Sequence, residues 1–182
     1  MTTGQPVIQT RRLYLREMDE ADLPTLRRIL QDRQTMRAWQ HAFSEEEVRA
    51  WLSKQRSRYE EFGYGLWAVC EKAGGSMVGQ CGLSWQKAGE DRVLEVGYLL
   101  QRDHWHKGYA LEAARACKEY AFGVLDQTEV FSLIWDENIA SMNVAIRNGM
   151  LVRGRFLLHY WGADLPHLIF SARREDVAAG VE

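Results

Sequence analysis

The sequence predicts a mixed domain of the α+β class with an α/β-like alternation of elements, on three observations. Strand-like and helix-like segments alternate along all 182 residues, with no repeat, low-complexity tract or long linker between them. Hydrophobic residues make up 46% and charged residues 26%, the balance of an ordinary folded chain and not of a disordered one. At roughly 100–200 residues per domain, the chain makes one domain, 1–182, long enough to bury a core without disulfides or a structural metal.

Each element follows from its own residues. Residues 8–17 contain Leu13-Tyr14-Leu15-Arg16 and read as a strand. Residues 19–30 read as a helix, with Asp19 as N-cap and Leu23, Leu26, Ile29 and Leu30 on one face. Ser44-Glu45-Glu46-Glu47 is a capping box that opens a helix to about residue 61, burying Val48, Trp51, Leu52 and Tyr59. Residues 64–71 and 77–85 read as strands joined at the turn signal Gly74-Gly75, and 92–100 as the next strand. Residues 109–122 are alanine-rich and helical, 130–135 are β-branched and aromatic and hence extended, and 138–148 form a helix stopped by Gly149. Residues 151–160 and 165–172 close the chain as a hairpin around Gly162-Ala163-Asp164.

Composition narrows function by exclusion. The formal charge of −2 gives no bulk positive field for nucleic acid, so direct nucleic-acid binding is not expected. No stretch approaches the ~18 apolar residues of a membrane span, and Met1 to Pro6 lacks the basic-then-apolar pattern of a signal peptide. Cys70, Cys81 and Cys117 are odd in number and widely spaced, which reads as reduced core thiols in a cytoplasmic chain. The H-x-H of His104 and His106, and the pair His159 and His167, lack further ligands for a tetrahedral site, so no metal is expected.

Two strand-to-helix junctions carry the chemistry. Around Lys107-Gly108-Tyr109-Ala110 small residues open a helix, where the first N–H groups lack internal partners and the dipole favours an anion. The pattern is neither G-x-G-x-x-G nor G-x-x-x-x-G-K-[ST], and taken alone it reads as a simple turn. The second junction, Asp136-Glu137-Asn138-Ile139-Ala140-Ser141, offers Asn138 as a helix cap. Two neighbouring junctions of this kind make a cleft at the strand ends, a frequent ligand site.

Four segments, in order, resemble the GNAT superfamily of N-acetyltransferases, and more narrowly its RimJ/RimL-type branch that acetylates ribosomal-protein N-termini. Thr10-Arg11-Arg12-Leu13-Tyr14-Leu15-Arg16 is similar to "T-x-R-L-x-L-R", and Val78-Gly79-Gln80-Cys81-Gly82-Leu83 to "I-G-x-x-G-L". Glu95-Val96-Gly97-Tyr98, followed by Trp105-His106-Lys107-Gly108-Tyr109-Ala110-Leu111-Glu112-Ala113, is similar to "E-I-G-Y … W-G-K-G-Y-A-T-E-A". Glu137-Asn138-Ile139-Ala140-Ser141 with Gly149-Met150 is similar to "E-N-x-x-S … G-F". The chain departs at His106, where glycine is common, at Leu111 for threonine and at Met150 for phenylalanine.

The resemblance implies a mostly antiparallel sheet of about six to seven strands, splayed in the middle and flanked by about four helices. It implies acetyl-CoA as co-substrate and an amine acceptor, either a protein N-terminal α-amine or a small molecule. The pyrophosphate would sit on His106, Lys107, Gly108, Tyr109 and Ala110. The pantetheine would run along Leu99 and Leu100, whose backbone N–H polarises the thioester, and Asn138 would bond both backbone and pantetheine. Glu95 is the candidate general base, or else a structural carboxylate bonding a neighbouring strand. Ser141 would hydrogen-bond the thiolate sulfur, or else supports only its own helix turn. Trp39, His41, Tyr160 and Trp161 are candidates for the acceptor cleft, or else core packing. A possible homodimer follows from the family's habits. A non-catalytic acyl-CoA sensor, and an acetyltransferase for a toxin, antibiotic or polyamine, stay open beside the leading reading.

Overall fold

The structure is a computed structural model that describes residues 4–160 and 162–178. Its strands are β1 (Pro6–Gln9), β2 (Leu13–Arg16), β3 (Leu66–Glu71), β4 (Met77–Ala88), β5 (Asp91–Leu100), β6 (Glu129–Trp135), β7 (Leu151–Tyr160) and β8 (Ala163–Arg173). Its α-helices are α1 (Leu23–Leu30), α2 (Glu45–Phe62), α3 (Tyr109–Gly123), α4 (Ile139–Arg147) and α5 (Arg174–Ala178). The strands form one sheet in the order β1-β2-β3-β4-β5-β6-β8-β7. All neighbours are antiparallel except β5 and β6, which are parallel and joined by the crossover through α3.

Eight strands stand where about six to seven are expected, and five α-helices where about four are. The extra strand comes from residues 8–17, which break at Thr10. Its N–H donates to the Leu13 carbonyl at 2.9 Å and its hydroxyl oxygen accepts from the Leu13 N–H at 3.0 Å, folding one strand into the short hairpin β1–β2. The fifth helix is the short α5, beyond the last predicted hairpin. Helix 19–30 starts with a 3₁₀ turn, Glu20–Asp22, under an Asp19 capping box, before α1 proper. The expected Ser44–Glu47 capping box opens α2, and Gly149 takes the left-handed conformation after α4.

Two cores lie on opposite faces of the sheet. One packs Ala113, Cys117 and Ala121 of α3 on Leu13, Leu15, Trp67, Leu83, Leu94 and Val96. The other packs Leu26, Ile29, Val48 and Leu52 of α1 and α2 on Ala68, Cys70 and Met77. The three cysteines are free and buried, with the Cys81 and Cys117 sulfurs 3.6 Å apart. In the β4–β5 ladder, the pairs Gln80–Leu99, Gly82–Gly97 and Ser84–Glu95 alternate with Cys81–Tyr98 and Leu83–Val96, so Glu95, Gly97 and Leu99 share the face turned away from α3. Gly79 lets the end of β5 lie close, since a Cβ there would stand 2.6 Å from the Leu99 carbonyl oxygen. Among the described residues no helix is long and apolar enough to cross a membrane.

Candidate functional site

The sheet opens at its one parallel pair. Strands β5 and β6 are in register only at Glu95 and Phe131, while β5 stays laddered to β4 as far as Gly79 and Leu100. Beyond that vertex, side chains bridge the gap instead of backbone. The Ser132 hydroxyl donates to the Val96 carbonyl at 3.0 Å, and the Tyr98 hydroxyl to the Ser141 carbonyl at 3.1 Å. Burial pushes the Tyr98 phenol up, so it stays a donor across the neutral range.

Glu95 sits at the vertex. Its carboxylate accepts from the Leu133 N–H at 3.2 Å, tying it to β6. Burial raises its pKa to about 7, against the opposing pull of the Leu133 N–H and the Arg58 charge. Next along the same face is Gly97, where a Cβ would have only Leu66 at 3.6 Å and the Glu95 carboxylate at 3.9 Å for company. On this face Gly97 therefore adds no side chain between Glu95 and Leu99.

One arm of the opening leads into α3. Gly108 is its N-cap, left-handed at φ 77°, and no side chain caps the helix. Its start is held from behind instead. Arg12 Nη1 donates to the Lys107 carbonyl at 2.9 Å, and Arg12 Nε to Glu112 at 2.7 Å. The Thr10 hydroxyl donates to Glu112 at 2.6 Å, and the Arg12 guanidinium lies 4.7 Å over the Tyr109 ring. The Trp105 indole N–H donates to the Leu100 carbonyl at 2.9 Å, pinning the loop to β5. His106 is exposed and left-handed at φ 61°, a conformation in which a side chain costs about 1–2 kcal/mol. That backbone is why glycine suits this position and why His106 is a departure. Residues 106–108 of the loop are thus exposed and 109 and 110 half-buried, where the first-turn N–H groups of α3 lack partners within the helix. An uncapped, glycine-led terminus of this kind fits a diphosphate.

The other arm leads into α4. Asn138 is its cap, with its side-chain oxygen accepting from the Ser141 N–H at 3.2 Å. At the far end, Lys118 Nζ donates to the Asn148 carbonyl at 2.5 Å, fixing the helix against α3. Ser141 is half-buried and joined to β5 through Tyr98.

The structure brings Glu95, Leu99, Leu100, residues 106–110, Asn138 and Ser141 to the one opening. Trp39 and His41 belong to a neighbouring aromatic group. Trp39 stands edge-on to Trp51 at 5.6 Å and to Phe43 at 6.2 Å, and His41 Nε2 lies 2.9 Å from both Glu47 oxygens. Trp39 and Leu99 pack on the same α1–α2 core, so the group adjoins the Glu95 face. Tyr160 ends β7, and its side chain and Trp161 lie outside the described residues. Tyr98, Arg58 and the Thr10–Arg12–Glu112 clamp were not singled out as site residues by sequence. Tyr98, Thr10, Arg12 and Glu112 stood inside the matched motifs, whereas Arg58 carried no signal.

Three comparisons bear on this geometry. A model described as an acetyltransferase (GNAT) domain matches residues 12–151. The Bacillus subtilis protein YkkB is 35% identical over 142 residues, which is 78% of this chain and 83% of YkkB. A GNAT-family acetyltransferase from Bacillus anthracis matches in structure with a TM-score of 0.79 at 22% identity, over 92% of this chain and 98% of that one. RimL, a ribosomal-protein α-N acetyltransferase solved with coenzyme A, matches with a TM-score of 0.74 at 18% identity, over 93% of this chain and 98% of its own. At these identities the two structures speak to the fold alone.

Proposed function

Since the chain belongs to the acetyltransferase (GNAT) family and is an acetyl-CoA-dependent N-acetyltransferase, we propose that it acetylates a protein N-terminal α-amine or a small-molecule amine by direct attack on the thioester. The attacking nitrogen must be neutral, yet a peptide α-amine has a pKa of about 8 and a lysine about 10.4. Glu95 takes the amine proton, directly or through a water beside Gly97. The observation that carries this reading is a carboxylate with a pKa of about 7 on the same strand face as Leu99, with only glycine between.

The nitrogen lone pair then forms the bond to the acetyl carbon and the carbon–sulfur bond breaks. A backbone N–H at Leu99 or Leu100 holds the developing oxyanion, a contact typically worth about 3 kcal/mol. Ser141 hydrogen-bonds the departing sulfur, and Asn138 steadies the same helix end. Residues 106–110 bind the pyrophosphate. Trp39 and His41 line the acceptor side. The reading extends to the RimJ/RimL-type branch, supported by the four ordered motifs. It also takes residues 1–182 as one cytoplasmic domain that pairs as a homodimer.

Incubation with acetyl-CoA and a panel of peptides and amines, following free thiol and product mass, tests the reading. Acceptor-dependent thiol release with a mass gain of one acetyl group is expected. Tight acetyl-CoA binding with no turnover on any acceptor would make the chain a sensor instead.

A further inference from the structure

Next to Glu95, on the α2 side of the sheet, lies a cavity of about 260 Å³ whose walls include Lys54, Arg58, Glu61, Ser84, Trp85 and Arg92. Three cations thus face one carboxylate. Among the described residues, none of the three cations has an ion-pair partner within 4.0 Å, although fourteen other pairs form elsewhere. They are held in place by other means. Arg58 Nη1 donates to the buried Gln55 at 3.1 Å, and the Arg92 guanidinium lies 4.9 Å over the Trp85 ring. The Trp85 indole is itself fixed, donating to the Tyr64 hydroxyl at 2.9 Å. Burial pulls the pKa of both Lys54 and Arg58 down; the Arg58 charge adds to the fall at Lys54, and at Arg58 the Glu95 charge opposes it without cancelling it.

The cavity adjoins the proposed base. Ser84 is the residue directly across the β4–β5 ladder from Glu95, and the Arg58 and Glu95 charges act on each other. We propose that this cavity is the anchor for the acceptor's body, and that the acceptor is a small amine carrying a carboxylate or phosphate, which Arg58, Arg92 and Lys54 seat so that the amine lies at Glu95. Such an anion supplies the direct ion-pair partner that the three cations lack within 4.0 Å, and the guanidinium forks of Arg58 and Arg92 match the oxygens of either group. The same three cations repel a polyamine, whose body is positive. The inference rests on the acetyl-transfer reading above and names the substrate class for its site.

The test compares matched acceptors by thiol release: phosphoethanolamine against ethanolamine, β-alanine against β-alaninamide, and spermidine. The expected result is a kcat/KM at least tenfold higher for the anion-bearing member of one pair, and the pair that shows it tells phosphate from carboxylate. That preference ratio is expected to fall at least tenfold in Arg58→Met and in Arg92→Met; the exposed position of Arg92 keeps the second variant folded if the first is damaged. A preference for the uncharged members or for spermidine, or a ratio unmoved by Arg92→Met, overturns the proposal while leaving acetyl transfer intact. If no amine releases thiol, acetyl transfer to amines fails. Calorimetric titration of phosphoethanolamine and β-alanine into the CoA-loaded protein then decides the pocket: binding of either that is lost in Arg92→Met supports it, and no binding of both overturns it.

Discussion

The two helices that start at the opening of the sheet differ in how their first turns are satisfied. Helix α4 spends a side chain on its own end, because Asn138 accepts from the Ser141 N–H. Helix α3 has Gly108 at the corresponding place and no side-chain cap, and its loop is held through Arg12 and the Lys107 carbonyl. Both ends carry the same positive dipole. Only the uncapped one keeps its N–H groups for a ligand, whereas the capped one offers a neutral hydroxyl, Ser141. On this contrast the proposed function puts the anionic end of the cofactor at α3 and its sulfur end at α4. Glu95 stands at the vertex from which both arms diverge.

The largest expected effect is therefore at the vertex. Glu95→Gln should lower kcat by about 10²–10⁴-fold, the usual contribution of a general base. In the parent, activity should rise with pH through about 7 as Glu95 ionises, and that limb should vanish in the variant. Stability should move the other way. The folded pKa of about 7 lies above the unfolded value of about 4.3. Between those values the folded state binds more protons, so stability falls as pH rises and stays reduced above 7. At about 1.4 kcal/mol per pKa unit, the neutral Gln should make the protein more stable at pH 8, by about 1–3 kcal/mol. Denaturant melts at pH 5 and pH 8 check this: a gain markedly larger at pH 8 than at pH 5 is expected, and an equal change at both would remove the buried-carboxylate account.

Breaking the α3 arm comes next. Gly108→Asp sets a carboxylate among the N–H groups and should weaken acetyl-CoA binding about 10–100-fold, equivalent to about 1.4–2.8 kcal/mol. The left-handed backbone adds its own strain, so Gly63→Asp is the control. Gly63 has the same φ of 77° and open space around it, far in sequence from the junction. Equal affinity losses in the two variants, by calorimetry, would reduce the α3 effect to strain.

Local patterns were legible in the sequence where the partner lies nearby. The Ser44–Glu47 box, the Asp19 cap and the Gly149 stop each need only a few residues of context, and the structure has all three. Thr10 and Arg12 were visible as part of a motif, but their purpose was not. Their partner Glu112 lies about a hundred positions away and meets them only once the sheet is assembled. The Thr10–Leu13 turn beside it folds β1 back on β2 and splits the strand predicted at 8–17. Tyr98 carries no signal of its role in the sequence, where Ser141 alone stands out as a hydroxyl near the sulfur. The hydroxyl that reaches α4 comes instead from the opposite strand, through a side chain one face over from Glu95. Arg58 had no signal at all, since an arginine on an amphipathic helix reads as solvated until the sheet beneath it is known.

The α4 arm should give smaller effects. Ser141→Ala removes one hydroxyl contact, worth about 1 kcal/mol, so kcat should fall roughly fivefold while acetyl-CoA affinity holds. Loss of affinity without loss of kcat would mean that Ser141 acts on the bound cofactor and not on the departing sulfur.

Asn138→Ala is the smallest and the sharpest probe of the contrast between the arms. Removing the cap should cost about 1 kcal/mol of stability, measured by thermal or denaturant unfolding. Asn138→Ser keeps an oxygen that can accept from the helix N–H groups but not the amide N–H₂ that could donate to a cofactor. If Asn138 is a cap and nothing more, the serine variant recovers both stability and acetyl-CoA affinity. If it recovers stability alone, the amide donates to the pantetheine, and the capped end of α4 contributes to cofactor binding through the far side of the group that closes it.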